Sequence, residues 1–135
     1  MPKVFSYRGK SLEELKKISI EEFSRLLPSR DRRKLKRGLT MQEKKLLENI
    51  KGNPSKFHKT HVRSMIIFPE MVGTKIGIYL GGGPKGQEGA RWNTVTMTPD
   101  MVGHRLGDFA ITTKRVKHSS PGLGATRGSK HIPLQ

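Results

Sequence analysis

The chain has 135 residues, 33% of them apolar and 6% aromatic, and its 27 Lys and Arg outweigh 11 Asp and Glu for a formal charge of +16. That bounds it to one modest core with extensions and makes a polyanion the expected partner, nucleic acid first and an anionic membrane surface second. There is no cysteine, which excludes disulfides and thiolate metal sites, and no apolar run long enough for a membrane span or a signal-peptide core.

The first third carries three helix-start patterns, Ser11-x-x-Glu14, Ser19-x-x-Glu22 and Thr40-x-x-Glu43. In each, the hydroxyl can accept from an orphan backbone N–H while the Glu reaches back to the cap. They predict a short helix near 12–17 and a second with Ile20, Phe23, Leu26 and Leu27 on one face, redirected at Pro28. SRDRRKLKRG follows, with Arg30, Arg32, Arg33, Lys34, Lys36 and Arg37 against the single acid Asp31. If helical, it stops at Gly38. A charged helix is usually a solvated face, but this excess of one sign points to phosphate contact. A further helix over 40–51 aligns Leu46, Leu47 and Ile50 and ends at Gly52-Asn53-Pro54.

After Pro54 the pattern turns extended. SMIIF reads as a short strand ended by Pro69. KIGIYLG alternates with Ile76, Ile78 and Leu80 on one face, and NTVTMT with Val95 and Met97 inward and the threonines outward. The glycine-rich GGGPKGQEGARW between these two runs predicts an antiparallel hairpin. From Thr112 the chain has no acid and no sustained apolar period. By itself such a tail cannot bury enough surface to offset the entropy of ordering it. Its cations could line it along phosphates.

One phrase is written twice: FPEMVGTKIGIY at 68–79 and TPDMVGHRLGDF at 98–109. Proline suits the first position of a helical turn, the acid complements the positive end of that turn, and the glycine permits a left-handed backbone. The phrase therefore encodes a strand end, a sharp helical turn and a new element. After the first copy the new element is KIGIYLG. After the second, Leu106 and Phe109 suit a helical turn over the sheet.

No catalytic constellation stands out. His58 and His61 are three apart, but Pro54 and the following extended segment argue against a helix, and no Cys or carboxylate completes a zinc set. Gly81-x-Gly83-x-x-Gly86 formally matches a dinucleotide fingerprint, yet Pro84 sits inside it and no helix follows. Glu70 and Asp100 read as turn-capping acids, not as a catalytic pair. No cofactor, metal or small-molecule substrate is expected.

SRDRRKLKRGL, KTHVRSMIIFPEMVGTKIGIYLG and TPDMVGHRLGDFAITTKRVKHSSPGLGATRGSKHIPL together resemble the small ribosomal subunit protein S-nineteen family, in its archaeal and eukaryotic branch. The most specific parts are P-[DE]-M-V-G-H-x-L-G-[DE]-F and P-G-x-G-A-T-R-x-S-K-x-I-P-L. The resemblance implies an α+β fold with a small three-stranded sheet, N-terminal helices and a basic, extended C-terminal tail. It implies a non-enzyme of the cytoplasmic small ribosomal subunit, bound to small-subunit ribosomal RNA in the head beside the S-thirteen protein, with the tail near the decoding site and transfer RNA. On the same resemblance Lys59, His61 and Arg63 face RNA from K-T-H-x-R, His104 and Arg105 from the second turn, and Lys114, Arg115, Lys117, His118, Arg127 and Lys130 from the tail. The long loop departs from relatives, so only Lys85 and Arg91 are considered in it. The expected organisation is a helical region 1–53, a sheet core 54–111 and a tail 112–135. Composition alone leaves a DNA-compacting chromatin-like protein as the main rival. An RNA-modifying enzyme and a membrane-surface protein are weaker.

Overall fold

A computed structural model describes residues 3–81, 91–113 and 115. Helix α1 spans Leu12–Lys17, α2 Ile20–Leu26, α3 Ser29–Lys36 and α4 Met41–Gly52. Strands β1 (His58–Thr60), β2 (Lys75–Tyr79) and β3 (Trp92–Thr96) form one sheet. The fold is α+β, as the resemblance implied.

The caps work as the sequence suggests, with one difference. Ser11 and Thr40 each accept from the N–H three residues on, and Glu14 and Glu43 reach back to the cap N–H. At α2 only half of the box forms, from Glu22 N–H to the Ser19 hydroxyl. The buried side of α2 is also rotated from expectation. Ile20 is 46% exposed, whereas Phe23 and Ser24 are buried. Ser24 tolerates burial because its hydroxyl donates to Glu21 O at 2.6 Å.

Strand β2 is central, parallel to β1 and antiparallel to β3. The β2–β3 hairpin has the expected faces: Ile76, Ile78 and Met97 are in the core, and Thr94, Thr96 and Thr98 are exposed. The third strand is not SMIIF. It is His58–Thr60, a polar trio whose outer members are buried and whose middle member is exposed. Residues 65–68 are instead fully enclosed, with a single bridge from Ile66 to Arg105. Their hydrogen-bond partners lie in the irregular second turn, which cannot offer a continuous ladder. Leu106 N–H donates to Met65 O, and Ile67 N–H to His104 O.

The duplicated phrase builds the same turn twice. Pro69–Met71 and Pro99–Met101 are single 3-10 turns with proline in the first turn, followed by Gly73 at φ +91° and Gly103 at φ +85°. The two turns are also bound to each other reciprocally. Gly73 N–H donates to Met97 O and Met97 N–H to Thr74 O; Gly103 N–H donates to Ile67 O and Ile67 N–H to His104 O. Met97 and Ile67 are the residues just ahead of each copy. Each copy thus grips the chain leading into the other, a local two-fold arrangement that joins β2, β3 and the 65–68 segment. The second copy then closes with the 3-10 turn Leu106–Phe109, whose Leu106 is completely buried.

The two glycines predict different costs. A side chain at Gly73 meets open space, so Gly73→Ala carries only left-handed strain, about 1 kcal/mol. At Gly103 a methyl group would also stand 2.8 Å from the Tyr7 hydroxyl. Gly103→Ala is expected to lose about 1 kcal/mol more in denaturant unfolding. Equal losses would mean that Tyr7 moves aside freely.

Candidate nucleic-acid interface

The predicted cations fall into two surface groups, and several are used inside the protein. On α3 and its C-cap, Arg30, Arg33, Lys36 and Arg37 are exposed. Arg30, Arg33 and Lys36 border one open groove together with Ser29 and Arg32. Arg30 also borders a second depression with Tyr7, His104 and Arg105. The helix and the second turn therefore present a continuous basic rim, although they are about seventy residues apart in sequence.

That rim is held by an ion pair. Arg105 donates from Nε and a terminal nitrogen to one Asp31 carboxylate oxygen, at 3.0 and 2.7 Å. The pair is mostly shielded, with 26% and 15% side-chain exposure. Asp31, the lone acid of the basic run, thus fixes α3 against the turn. His104 stays exposed beside Phe109, its ring edge-on at 5.8 Å. Asp108 accepts from Arg105 N–H at 3.1 Å and caps the closing turn.

Three other predicted residues spend their donors internally. A terminal nitrogen of Arg32 donates to Leu27 O at 3.2 Å and Arg25 O at 3.4 Å, satisfying carbonyls at the end of α2. Lys34 Nζ pairs with Glu43 at 2.6 Å and also donates to the backbone oxygen and the hydroxyl of Ser64. Arg63 donates to Tyr79 O at 2.7 Å, Gly107 O at 3.2 Å and Ala110 O. These three side chains bind the frame on which the exposed cations stand.

Glu43 has no exposure, and it is the residue that sequence reasoning saw only as a cap. Burial pushes its carboxyl up. The hydrogen bond from Lys34, the N–H of Thr40 and the Lys34 charge outweigh that, and the net shift is below its ordinary value of 4.5.

The second group lies on the sheet. Lys59 and His61 are exposed on its outer face, beside Tyr79 and Trp92. The two aromatics were missed because the alternation was read only for the inward residues; the complementary positions 75, 77, 79 and 92, 94, 96 define the opposite face. Arg115 is exposed. Lys85, Lys114, Lys117, His118, Arg127 and Lys130 lie outside the described residues, as does most of the tail. Among the described residues no group of three His, Cys, Asp or Glu could hold a metal ion, and no helix is long and apolar enough to cross a membrane.

Comparison with known proteins matches residues 33–118 to the family described as Ribosomal protein S19. Small ribosomal subunit protein uS19 of Methanocella arvoryzae is 47% identical over 131 residues, covering 97% of this chain and 87% of that protein. The protein of the same name from Saccharolobus solfataricus is 44% identical over 138 residues, covering 98% of this chain and 93% of its own length.

Proposed function

The chain belongs to the ribosomal protein S19 family, and from that premise we propose that it acts as a structural, non-catalytic constituent of the small ribosomal subunit, holding small-subunit ribosomal RNA against the α3 rim and the outer sheet face. The observation that carries the assignment of surfaces is the division of the cations. Arg32, Lys34, Arg63 and Arg105 brace the frame, which leaves Arg30, Arg33, Lys36, Arg37, Lys59 and His104 presented outward. Exposed cations neutralise phosphates and release counterions, while the rigid frame sets their spacing to a folded RNA surface.

The finer placement follows the family resemblance: the subunit head, contact with the S-thirteen protein, a tail reaching the decoding site and transfer RNA, and a cytoplasmic ribosome. It is supported by the composition of 112–135, which is basic and free of acid. A segment of that composition offers a run of cations to phosphates.

Binding to small-subunit ribosomal RNA is expected to fall about a thousandfold between about 50 and 200 mM salt. Changing Arg30, Arg33 and Arg37 to Gln should flatten that salt dependence by roughly two to three contacts and leave the melting temperature near wild type. Co-sedimentation with small subunits through a gradient checks the assembly. A flat salt response overturns the phosphate-contact model; recovery of the protein with bulk DNA and not with subunits overturns the reading in favour of the DNA-compacting rival.

A further inference from the structure

We propose that the outer face of the sheet is a stacking platform for an unpaired nucleobase of RNA, formed by His61, Tyr79 and Trp92 with Lys59 beside them. The proposal rests on the RNA-binding reading above and gives it a chemically distinct subsite.

The three rings form one cluster. Their centroids are 4.4 Å apart for His61 and Tyr79, 4.9 Å for His61 and Trp92, and 5.3 Å for Tyr79 and Trp92, with the rings inclined at 48° to 73°. Strand register makes the cluster. Tyr79 faces Trp92 across β2 and β3, and His61 continues the outward row begun by Lys59 on β1. The Lys59 ammonium stands 5.5 Å from the centre of the Trp92 ring.

The hydrophobic core does not account for this placement. The chain has one Trp, two Tyr and five Phe, and its core holds only Phe23 and Phe68 fully buried. A protein short of apolar residues has nonetheless put Phe57, Tyr79 and Trp92 on the solvent side of its sheet. Phe57, 39% exposed, lies across Gly77, where a Cβ would come within 2.6 Å of its ring; that contact seals the sheet beside the cluster. His61 remains exposed, and Tyr79 and Trp92 half-buried.

Aromatic rings next to a lysine match what an extruded base requires. The base stacks on a ring and the adjoining phosphate takes a cation. In the protein without RNA, Lys59 occupies the ring by cation–π attraction. A base takes its place, and the ammonium swings to the phosphate. Duplex RNA offers no free base face and engages only the charge.

The chain's sole tryptophan reports on the platform directly. With the full chain, single-stranded oligouridylate or oligoadenylate is expected to quench Trp92 fluorescence, and a paired RNA duplex of equal charge is not. By anisotropy with labelled RNA, Trp92→Leu and Tyr79→Leu should bind single strands about tenfold more weakly with duplex affinity nearly unchanged. Trp92→Phe and Tyr79→Phe, which keep a ring, should retain most of the affinity. Absence of quenching, or equal losses for single strand and duplex, overturns the platform and returns this face to a protein neighbour or to solvent. Such a failure would leave steep, salt-dependent binding to small-subunit RNA intact. Failure of the ribosomal reading would instead appear as wild-type protein absent from small subunits.

Discussion

Arg63→Ala is expected to destabilise the fold by about 3 kcal/mol, seen as a fall of roughly 10 °C in the thermal unfolding midpoint. The guanidinium joins the end of β2 to both ends of the closing segment, through Tyr79 O, Gly107 O and Ala110 O. Removing it leaves three half-buried carbonyls without their charged donor. It also releases the 3-10 turn Leu106–Phe109, whose Leu106 fills the core beneath. Arg63→Lys should recover little, because a compact ammonium cannot span three acceptors that a planar fork reaches together. The measurement that decides is a pair of melts without RNA. Wild-type stability in Arg63→Ala, with only RNA affinity reduced, would assign the side chain to RNA contact and sink the bracing role.

Lys34→Met is expected to cost a similar amount, about 3 kcal/mol, since it strands the Glu43 carboxylate in a site with no exposure. The double variant Lys34→Met, Glu43→Gln should recover most of that loss, because the stranded charge is gone. The pH dependence separates this account from simple loss of packing. In the wild type the carboxyl is held below its ordinary 4.5, so the pair's contribution is complete above that value and is lost as pH falls through the depressed one. In Lys34→Met only the Thr40 hydrogen bonds still oppose burial, so the carboxyl is raised relative to the wild type. The penalty is then full at neutral pH and relieved as pH falls through the raised value. The gap in melting temperature between variant and wild type should therefore narrow on acidification from neutral pH. A constant gap would mean that Glu43 is not the stranded group.

Local signals told most of the secondary structure. The boxes at Ser11 and Thr40, the apolar spacing of Leu46, Leu47 and Ile50, and the period-two runs around Ile76 and Val95 each depend on neighbours a few residues away. The elements therefore stand where those signals put them. The 65–68 segment and His58–Thr60 exchanged roles for the opposite reason. A short apolar run says that it is buried, not that its amides meet a regular partner. A polar trio gives no pattern at all, although β2 has an open edge that accepts it.

The candidate interface was legible in composition but not in assignment. Charge density marked 30–37, the family resemblance supplied K-T-H-x-R, and the second copy of the phrase carried the family. Charge cannot say which cations face outward. That depends on where Asp31, Glu43, Ser64 and the carbonyls of Tyr79, Gly107 and Ala110 lie once the chain is folded, up to 74 residues away in the case of Arg105 and Asp31. By itself the sequence determined a small basic protein with capped helices, a strand hairpin and one turn used twice, because charge, caps and turn chemistry are local properties; its motifs, by resemblance, carried the S19 family. Only the tertiary structure decided that the two turns grip each other's lead-in residues, that four of the predicted cations brace the frame, and that three rings meet on the outer sheet face. Apart from the Arg32 bonds to the neighbouring end of α2, each joins segments that are separate in the chain, and its energy exists only when both are in place.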